Sequence, residues 1–168
     1  YYRLAINPND EEAFKRIINY PTRGIGATTI QALNVTANKQ NKSIWEVINQ
    51  LDEIEVNINK GTERKLKEFA LMINSFIINT KQKDAYSIAE EIAKQTGIFN
   101  SLYSDKSTEG VSKFENIQEL LNGIKDFSET AEKGLNKLPD FMQDVALLTD
   151  QDKETEDDFN KVTLMTVH

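Results

Sequence analysis

The sequence contains no cysteine and one histidine, its last residue, so the two side chains that most often bind zinc are almost absent. Disulfide bonds and thiol-based metal sites are therefore excluded, and the composition fits a reducing compartment. No run approaches the ~18 consecutive apolar residues that a membrane-spanning helix needs, and no signal-peptide pattern is present. We accordingly expect a cytoplasmic protein without a membrane partner.

Charge of one sign is nearly missing from two stretches of the chain. Residues 13–42 carry five basic side chains and no acid, whereas residues 149–160 carry six acids and one base. The net charge of −7 argues against a protein that coats nucleic acid non-specifically. The basic stretch either presents cations to an anionic ligand or is a solvated helix face, and charge alone leaves both interpretations open.

The pattern of apolar residues predicts the fold class. The 168 residues, 39% of them hydrophobic, suffice for one domain with its own core. Apolar residues recur at helical spacing through most of the chain, which predicts an all-α, multi-helix domain. The predicted helices cover residues 11–20, 28–38, 44–51, 62–80, 85–96, 112–130 and 139–148.

Individual residues mark the ends of these predicted helices. Asp10 suits the N-cap of the first helix, and Ser43 with Glu46 has the pattern of a capping box, in which each side chain binds the other residue's backbone N–H. Gly97 suits a helix C-terminus, where a left-handed backbone is common. Trp45 stands at helical spacing beside other apolar residues, so we expect it in the core and not as a base-stacking platform.

The chain closes with KVTLMTVH, residues 161–168, a run rich in β-branched residues that is typical of a buried strand. A lone strand leaves its backbone groups without partners. We therefore interpret it as an orphan strand whose sheet belongs to a larger parent protein. Residues 149–160 are then an exposed acidic linker that leads into this strand.

The segment NYPTRGIGATTI, residues 19–30, joins the first two predicted helices through two glycines that flank an isoleucine. Gly24 and Gly26 can adopt a positive φ and let another backbone come close, and Ile25 can pack back between the helices. Free N–H groups at the start of the second helix point outward, and the helix dipole favours an anion there. The segment is therefore either a phosphate-binding hairpin or a helix cap and nothing more.

Hydroxyl and cationic side chains surround this turn. They are Thr22, Arg23, Thr28 and Thr29. Contacts of this kind hold a nucleic-acid backbone and carry no base-sequence information. We expect that replacing Arg23 by alanine removes charge but leaves the turn intact.

Three elements resemble the UvrD/PcrA/Rep family of superfamily 1 DNA helicases, in the family's order and across almost the whole chain. The opening YYRLAINPNDEEAFKRIINYPTRGIG is similar to the segment that enters the family's 2B subdomain. ENIQEL at residues 115–120 resembles the family pattern Glu-Asn-Leu-x-Glu-Leu, and VTLMTVH resembles the start of a helicase motif. The resemblance implies a helix-hairpin-helix-like GIG turn and a final strand that belongs to the parent's RecA-like domain.

The resemblance also implies a domain organisation. Residues 1–148 correspond to the helical 2B subdomain of a helicase, residues 149–160 to the acidic linker, and residues 161–168 to the strand that returns to the parent domain. In the family this subdomain swings as a rigid body and thereby tunes helicase activity.

In the family the GIG hairpin contacts the phosphates of duplex DNA, so the resemblance implies a set of DNA-binding residues. They are Arg16, Thr22, Arg23, Gly24, Ile25, Gly26, Thr28 and Thr29. For Arg16, which matches a basic family position, a helix-surface ion pair is the alternative. Thr166 and His168 match positions near single-stranded DNA in whole enzymes, and we expect them to be inert without the parent domain.

The family's ATP site needs a G-x-x-x-x-G-K-[ST] loop and acidic metal ligands, and this sequence has no such loop. We therefore expect ATP and magnesium to act only in the parent enzyme, and this fragment to have no catalytic residue and no cofactor. The implied partners are the duplex DNA backbone and the parent's other subdomains, with the isolated fragment a monomer. The alternative is a protein-interaction module that docks a partner or another helicase domain.

Overall fold

The computed structural model describes residues 1–132 and 134–151. Within these residues every regular element is a helix, which confirms the all-α class, and none of the helices is long and apolar enough to cross a membrane. The helices of the described part are α1 (Tyr2–Ile6), α2 (Glu11–Ile17), α3 (Ala27–Gln40), α4 (Ile44–Asn49), α5 (Lys60–Gln82), α6 (Ala85–Gln95), α7 (Ile98–Ser104), α8 (Thr108–Thr130) and α9 (Leu138–Gln151).

Side-chain caps explain where two of the predicted helices begin. Asp10 caps α2 by accepting the N–H of Ala13 at 2.9 Å. At α4 the predicted capping box is present, because the Glu46 N–H donates to Ser43 Oγ at 3.2 Å and the Ser43 N–H donates to Glu46 Oε2 at 2.7 Å. Each bond satisfies a backbone N–H that has no acceptor within the helix.

Other caps move helix starts away from the predicted positions. Asn59 caps α5, which therefore begins at Lys60 and not at residue 62. Ser107 caps α8 by accepting the N–H of Gly110 at 3.0 Å, so this helix begins at Thr108 and not at residue 112. At the end of α6, Gly97 has φ +79°, as the prediction of a left-handed C-terminal glycine requires.

The core forms around α5, which packs against α1, α4 and α6. The buried face of α5 includes Leu66, Phe69 and Phe76, which the helical periodicity predicts. Phe69 meets Phe14 of α2 edge to face, with 6.0 Å between the ring centroids. Trp45 of α4 is 9% exposed and belongs to the same core, which confirms its predicted position.

The structure adds two short helices and shortens one predicted helix. The short helices α1 and α7 were not predicted, because five and seven residues give too few positions to test a period of 3.6. Helix α2 ends at Ile17 and not at residue 20. The residue before a proline is disfavoured in the helical region, so Pro21 favours a helix that ends before Tyr20.

The end of the described chain corrects the predicted linker. Helix α9 runs through Gln151, so residues 149–151 are helical and do not belong to a linker. These three residues include neither glycine nor proline, and nothing in their sequence ends the helix. The rest of the predicted linker, residues 152–160, and the predicted orphan strand, residues 161–168, lie outside the described residues.

Candidate nucleic-acid interface

Residues 18–26 connect α2 to α3 and contain the predicted turn around Gly24 and Gly26. Asn19 holds this turn, since its side-chain oxygen accepts the N–H of Arg23 at 2.9 Å and the N–H of Ile25 at 3.1 Å. The Ile25 side chain is 1% exposed and packs into the core. The turn is therefore anchored both by an apolar side chain and by an amide that binds two backbone groups.

The two glycines of the turn differ in backbone conformation. Gly24 has φ +70°, a left-handed conformation that favours glycine over every residue with a Cβ. Gly26, the N-cap of α3, has φ −96° and ψ −179°, an extended conformation open to any residue, so the positive φ considered for it is not adopted. A Cβ on Gly26 would meet no atom within 4 Å. What glycine provides at this position is open space in front of the helix.

Around the start of α3, between residues 24 and 28, four backbone N–H groups have no acceptor within residues 1–132 and 134–151. They belong to Gly24, Gly26, Ala27 and Thr28. Because Gly26 has no side chain that could cap the helix, the first N–H groups of the 14-residue α3 remain available. The helix dipole places a partial positive charge at the same end. This arrangement of donors suits an anion such as a phosphate group.

The three threonines near the turn have different environments. Thr22 and Thr28 are exposed, so both hydroxyls are accessible to a ligand. Thr29 is 8% exposed and lies on the buried side of α3. Of the predicted hydroxyl donors, the structure therefore presents Thr22 and Thr28 at the surface and packs Thr29 inward.

The Arg23 side chain turns back onto the domain. Nη1 donates to the carbonyl oxygens of Ile17 (3.1 Å), Tyr20 (3.0 Å) and Pro21 (3.2 Å), and Nη2 donates to the Tyr1 hydroxyl (2.6 Å) and the Thr96 carbonyl oxygen (3.3 Å). These contacts argue against the expectation that the turn stays intact when Arg23 is replaced by alanine, which stays a prediction.

The Tyr1 hydroxyl extends this network. It accepts from Arg23 and donates to the carbonyl oxygen of Tyr20. Burial raises the pKa of the Tyr1 phenol, and the nearby Arg23 charge opposes that shift without reversing it. The hydroxyl therefore keeps its proton at neutral pH and can serve as donor and acceptor together.

A cation that no sequence pattern near the turn predicts lies beside it. The Lys65 ammonium of α5 is 2.8 Å from the position that a Cβ on Gly24 would occupy. In the described part of the chain this ammonium makes no ion pair and no hydrogen bond, whereas its neighbours Arg64 and Lys67 both pair with carboxylates. Lys65 lies 41 positions after Gly24 in the sequence, so no local pattern could have connected the two residues.

Arg16, the predicted DNA contact on α2, is exposed. No carboxylate pairs with it among the described residues, so the surface ion pair that was its alternative is not formed there. It lines an apolar groove of about 350 Å³ whose walls include Tyr2, Ile98, Ile117 and Leu120. The residues of the glycine turn do not line this groove.

Comparison with known proteins decides the family. The sequence profile of the UvrD-like helicase C-terminal domain matches residues 1–168. The chain belongs to this family. It is 30% identical over 168 residues to the ATP-dependent DNA helicases PcrA of Staphylococcus epidermidis and Staphylococcus aureus, an alignment that covers 100% of the chain. The chain spans 22% of the length of these relatives.

Thr166 and His168, the other residues to which the UvrD-like resemblance pointed, lie outside the described residues. Within the described residues, no group of three or more histidine, aspartate or glutamate side chains is arranged to hold a metal ion.

Proposed function

We propose that this chain is the duplex-binding, regulatory 2B subdomain of an ATP-dependent DNA helicase. The observation that carries the proposal is the set of four unpaired N–H groups from Gly24 to Thr28 at the start of α3. Membership of the UvrD-like family supports the same conclusion. In this proposal the subdomain extends to the end of α9 at Gln151, and the chain after it leads back to the parent's RecA-like domain.

The turn would bind the phosphate backbone of duplex DNA and not the bases. Backbone N–H groups and the positive end of a helix dipole recognise a phosphate oxygen whatever the base sequence. The exposed hydroxyls of Thr22 and Thr28 add two donors, and Arg16 adds a cation on the preceding helix. Gly26 leaves room for the phosphate, since a Cβ there would meet nothing within 4 Å. The hairpin would thus hold the duplex ahead of the fork.

The proposal assigns the chemistry to the rest of the parent protein. Its relatives are named ATP-dependent DNA helicases, and this chain covers 22% of their length. ATP and magnesium would act in the parent's other domains, while this subdomain would restrain or support unwinding through its grip on the duplex.

Duplex binding across a range of salt concentrations tests the proposal. The hairpin can engage roughly two or three phosphates, and at ~0.9 per phosphate log K should fall with log salt at a slope of about −2 to −3. Non-specific contacts of this kind give dissociation constants of roughly 10⁻⁴ to 10⁻⁶ M at physiological salt, and the acidic bulk of this chain places it at the weak end. Duplexes of randomised sequence should bind alike, and single strands less well.

Replacing Gly26 by valine tests the hairpin itself. The extended backbone at Gly26 accepts a β-branched residue, so the domain should stay helical by circular dichroism while the side chain blocks the phosphate. The matched control is Gly123→Val, because Gly123 also has no atom within 4 Å of a Cβ but lies on α8. Loss of duplex binding in the first variant alone supports the proposal. Wild-type binding by a folded Gly26→Val variant contradicts it.

A second function has one specific observation in its favour. The apolar groove of about 350 Å³ beside Arg16 resembles a docking site for a partner or another helicase domain, and it includes Leu120, which is 43% exposed. Apolar docking should respond weakly to salt, whereas phosphate binding should weaken steeply. The salt titration therefore separates the interaction module from the DNA-binding subdomain.

A further inference from the structure

We propose that Arg23 is a positioning residue that fixes the hairpin to the domain, and that Lys65 is the cation that meets the phosphate beside Gly24. This inference rests on the proposed duplex-binding function and gives the two cations at the turn different roles, one structural and one in phosphate binding. It replaces the assignment of Arg23 as a direct DNA contact, and it adds a residue from a different helix.

The hydrogen bonds of Arg23 use both terminal nitrogens of its guanidinium. Nη1 and Nη2 together donate to four carbonyl oxygens and one hydroxyl at 2.6–3.3 Å. The carbon Cζ also lies 5.5 Å from the ring centroid of Phe69 and 5.7 Å from that of Tyr1, within the range of cation–π attraction. A phosphate that accepts from either terminal nitrogen would therefore break bonds that hold the turn, and among the described residues only the Nε–H of this guanidinium has no acceptor.

The acceptors of Arg23 come from separate parts of the fold. The Thr96 carbonyl belongs to the C-cap of α6, 73 positions along the chain, and the Ile17 carbonyl belongs to the last residue of α2. Phe69 lies on α5 and the Tyr1 hydroxyl precedes α1. One side chain therefore connects the hairpin to the adjacent α2 and also to α5, α6 and Tyr1, which are distant from it in sequence. Planar guanidinium geometry makes this possible, and a lysine ammonium cannot reproduce it.

Lys65 has the opposite character. Its ammonium makes no ion pair and no hydrogen bond in the described chain, and it lies beside Gly24, whose N–H also has no acceptor there. A Cβ on Gly24 would lie 2.8 Å from this nitrogen, so the glycine is what lets the ammonium come so close to the backbone. The ammonium and the Gly24 N–H are therefore two unpaired donors at one residue of the turn, and one phosphate can accept from both.

Charge-removing and charge-preserving substitutions together separate the two roles. Duplex binding is measured by fluorescence anisotropy at several salt concentrations. Lys65→Ala should reduce the salt slope by about 0.9 and weaken binding roughly 5- to 10-fold at 0.1 M salt, with the melting temperature nearly unchanged. Lys65→Arg should restore both the slope and the affinity. Arg23→Lys keeps the charge, yet it should lower the melting temperature and weaken binding, because the ammonium cannot reach the five acceptors.

Tyr1→Phe is a milder test of the same network, useful if Arg23→Lys does not fold. It removes the hydroxyl that accepts from Arg23 but keeps the ring, so it should lower the melting temperature and leave the salt slope unchanged.

The possible outcomes distinguish a failure of this inference from a failure of the proposed duplex-binding function. Wild-type stability and affinity for Arg23→Lys would make Arg23 a phosphate ligand, and a wild-type slope for Lys65→Ala would remove Lys65 from the interface. Either result overturns the inference while duplex binding stands. If the wild-type chain shows no salt-dependent duplex binding, the proposed function itself fails, and the inference fails with it.

Discussion

Gly24 and Gly26 are two positions apart in the sequence, yet their backbone conformations differ. Gly24 has φ +70°, where a Cβ meets the following carbonyl oxygen, whereas Gly26 is extended at φ −96°. The first glycine is needed for the shape of the turn. The second is needed for the space in front of α3. Substitutions at the two sites should therefore separate stability from binding.

Alanine at each glycine makes this difference measurable. Gly24→Ala should cost roughly 1–2 kcal/mol of folding stability, because alanine resists the left-handed conformation. Gly26→Ala should change stability by less than about 1 kcal/mol, because reduced freedom of the unfolded chain offsets the weaker N-cap. Urea denaturation followed by circular dichroism gives both values. Equal losses at the two positions would mean that the backbone difference does not govern stability.

At the level of single residues, the sequence showed which residues form the turn but not which cations could contact a phosphate there. The inward packing of Ile25 follows from its place between two glycines, and the structure buries it to 1% exposure. Arg23 lies within the same turn, and its position predicts a contact with the phosphate. Its guanidinium instead donates to a carbonyl oxygen 73 positions away. Lys65 reaches the turn from α5. Both facts depend on how α5 and α6 pack, and no local pattern contains that information.

Helices were predictable where they are long or carry a cap written in the sequence. The capping box of Ser43 and Glu46 and the N-cap Asp10 were read from residue type and spacing. By contrast, α1 and α7 each span less than two turns, and tertiary packing decides whether such short segments become helical. The caps Asn59 and Ser107 were overlooked because the apolar pattern begins several residues after them.

The capping box predicts a specific response to mutation and to pH. Ser43→Ala should cost roughly 0.5–2 kcal/mol, because the Glu46 N–H loses its acceptor. Hydrogen bonds from the Ser43 backbone and side chain lower the pKa of the Glu46 carboxyl. A lowered folded-state pKa contributes stability above the unfolded pKa of about 4.3, and that contribution is lost as pH falls through the folded value.

Urea denaturation at pH 7 and in the acid range below pH 4 checks this prediction. Glu46→Gln keeps the side-chain shape but cannot titrate, so the variant should show a smaller loss of stability on acidification than the wild type. Equal acid sensitivity in both proteins would show that the charge of Glu46 plays no part at the cap.

Two glycines of α8 provide a matched pair at the level of the helix. A Cβ on Gly110 would lie 2.3 Å from Asp105 Cγ and 2.6 Å from the Asp105 carbonyl oxygen, so the preceding loop would have to move. Gly110→Ala should therefore destabilise the domain by roughly 1–3 kcal/mol. Gly123 is exposed with no atom near a Cβ, so Gly123→Ala should stabilise by roughly 0.5–1 kcal/mol through helix propensity. Chemical denaturation should move in opposite directions for the two variants.

For the whole molecule, charge acts differently on folding and on binding. Six ion pairs in the described residues join side chains four positions apart on one helix, among them Lys94 with Glu90 and Lys113 with Glu109. Exposed pairs of this kind are worth roughly 0.3–0.5 kcal/mol each and weaken in salt. Salt also screens the self-repulsion of a chain with net charge −7, which acts in the opposite direction. The two effects on folding stability should largely cancel.

The last prediction uses this contrast between folding and binding. Raising salt tenfold, from about 50 to 500 mM, should weaken duplex binding by roughly 100- to 1,000-fold at a slope of −2 to −3, because each phosphate contact releases counterions. Over the same range the melting temperature should shift by only a few degrees, since no net change larger than about 1 kcal/mol is expected and that corresponds to about 2–4 °C for a chain of this size. Thermal melts and anisotropy titrations in matched buffers measure both quantities on one preparation. A parallel loss of stability and binding would mean that salt unfolds the domain, and the steep binding slope would then say nothing about phosphates at the hairpin.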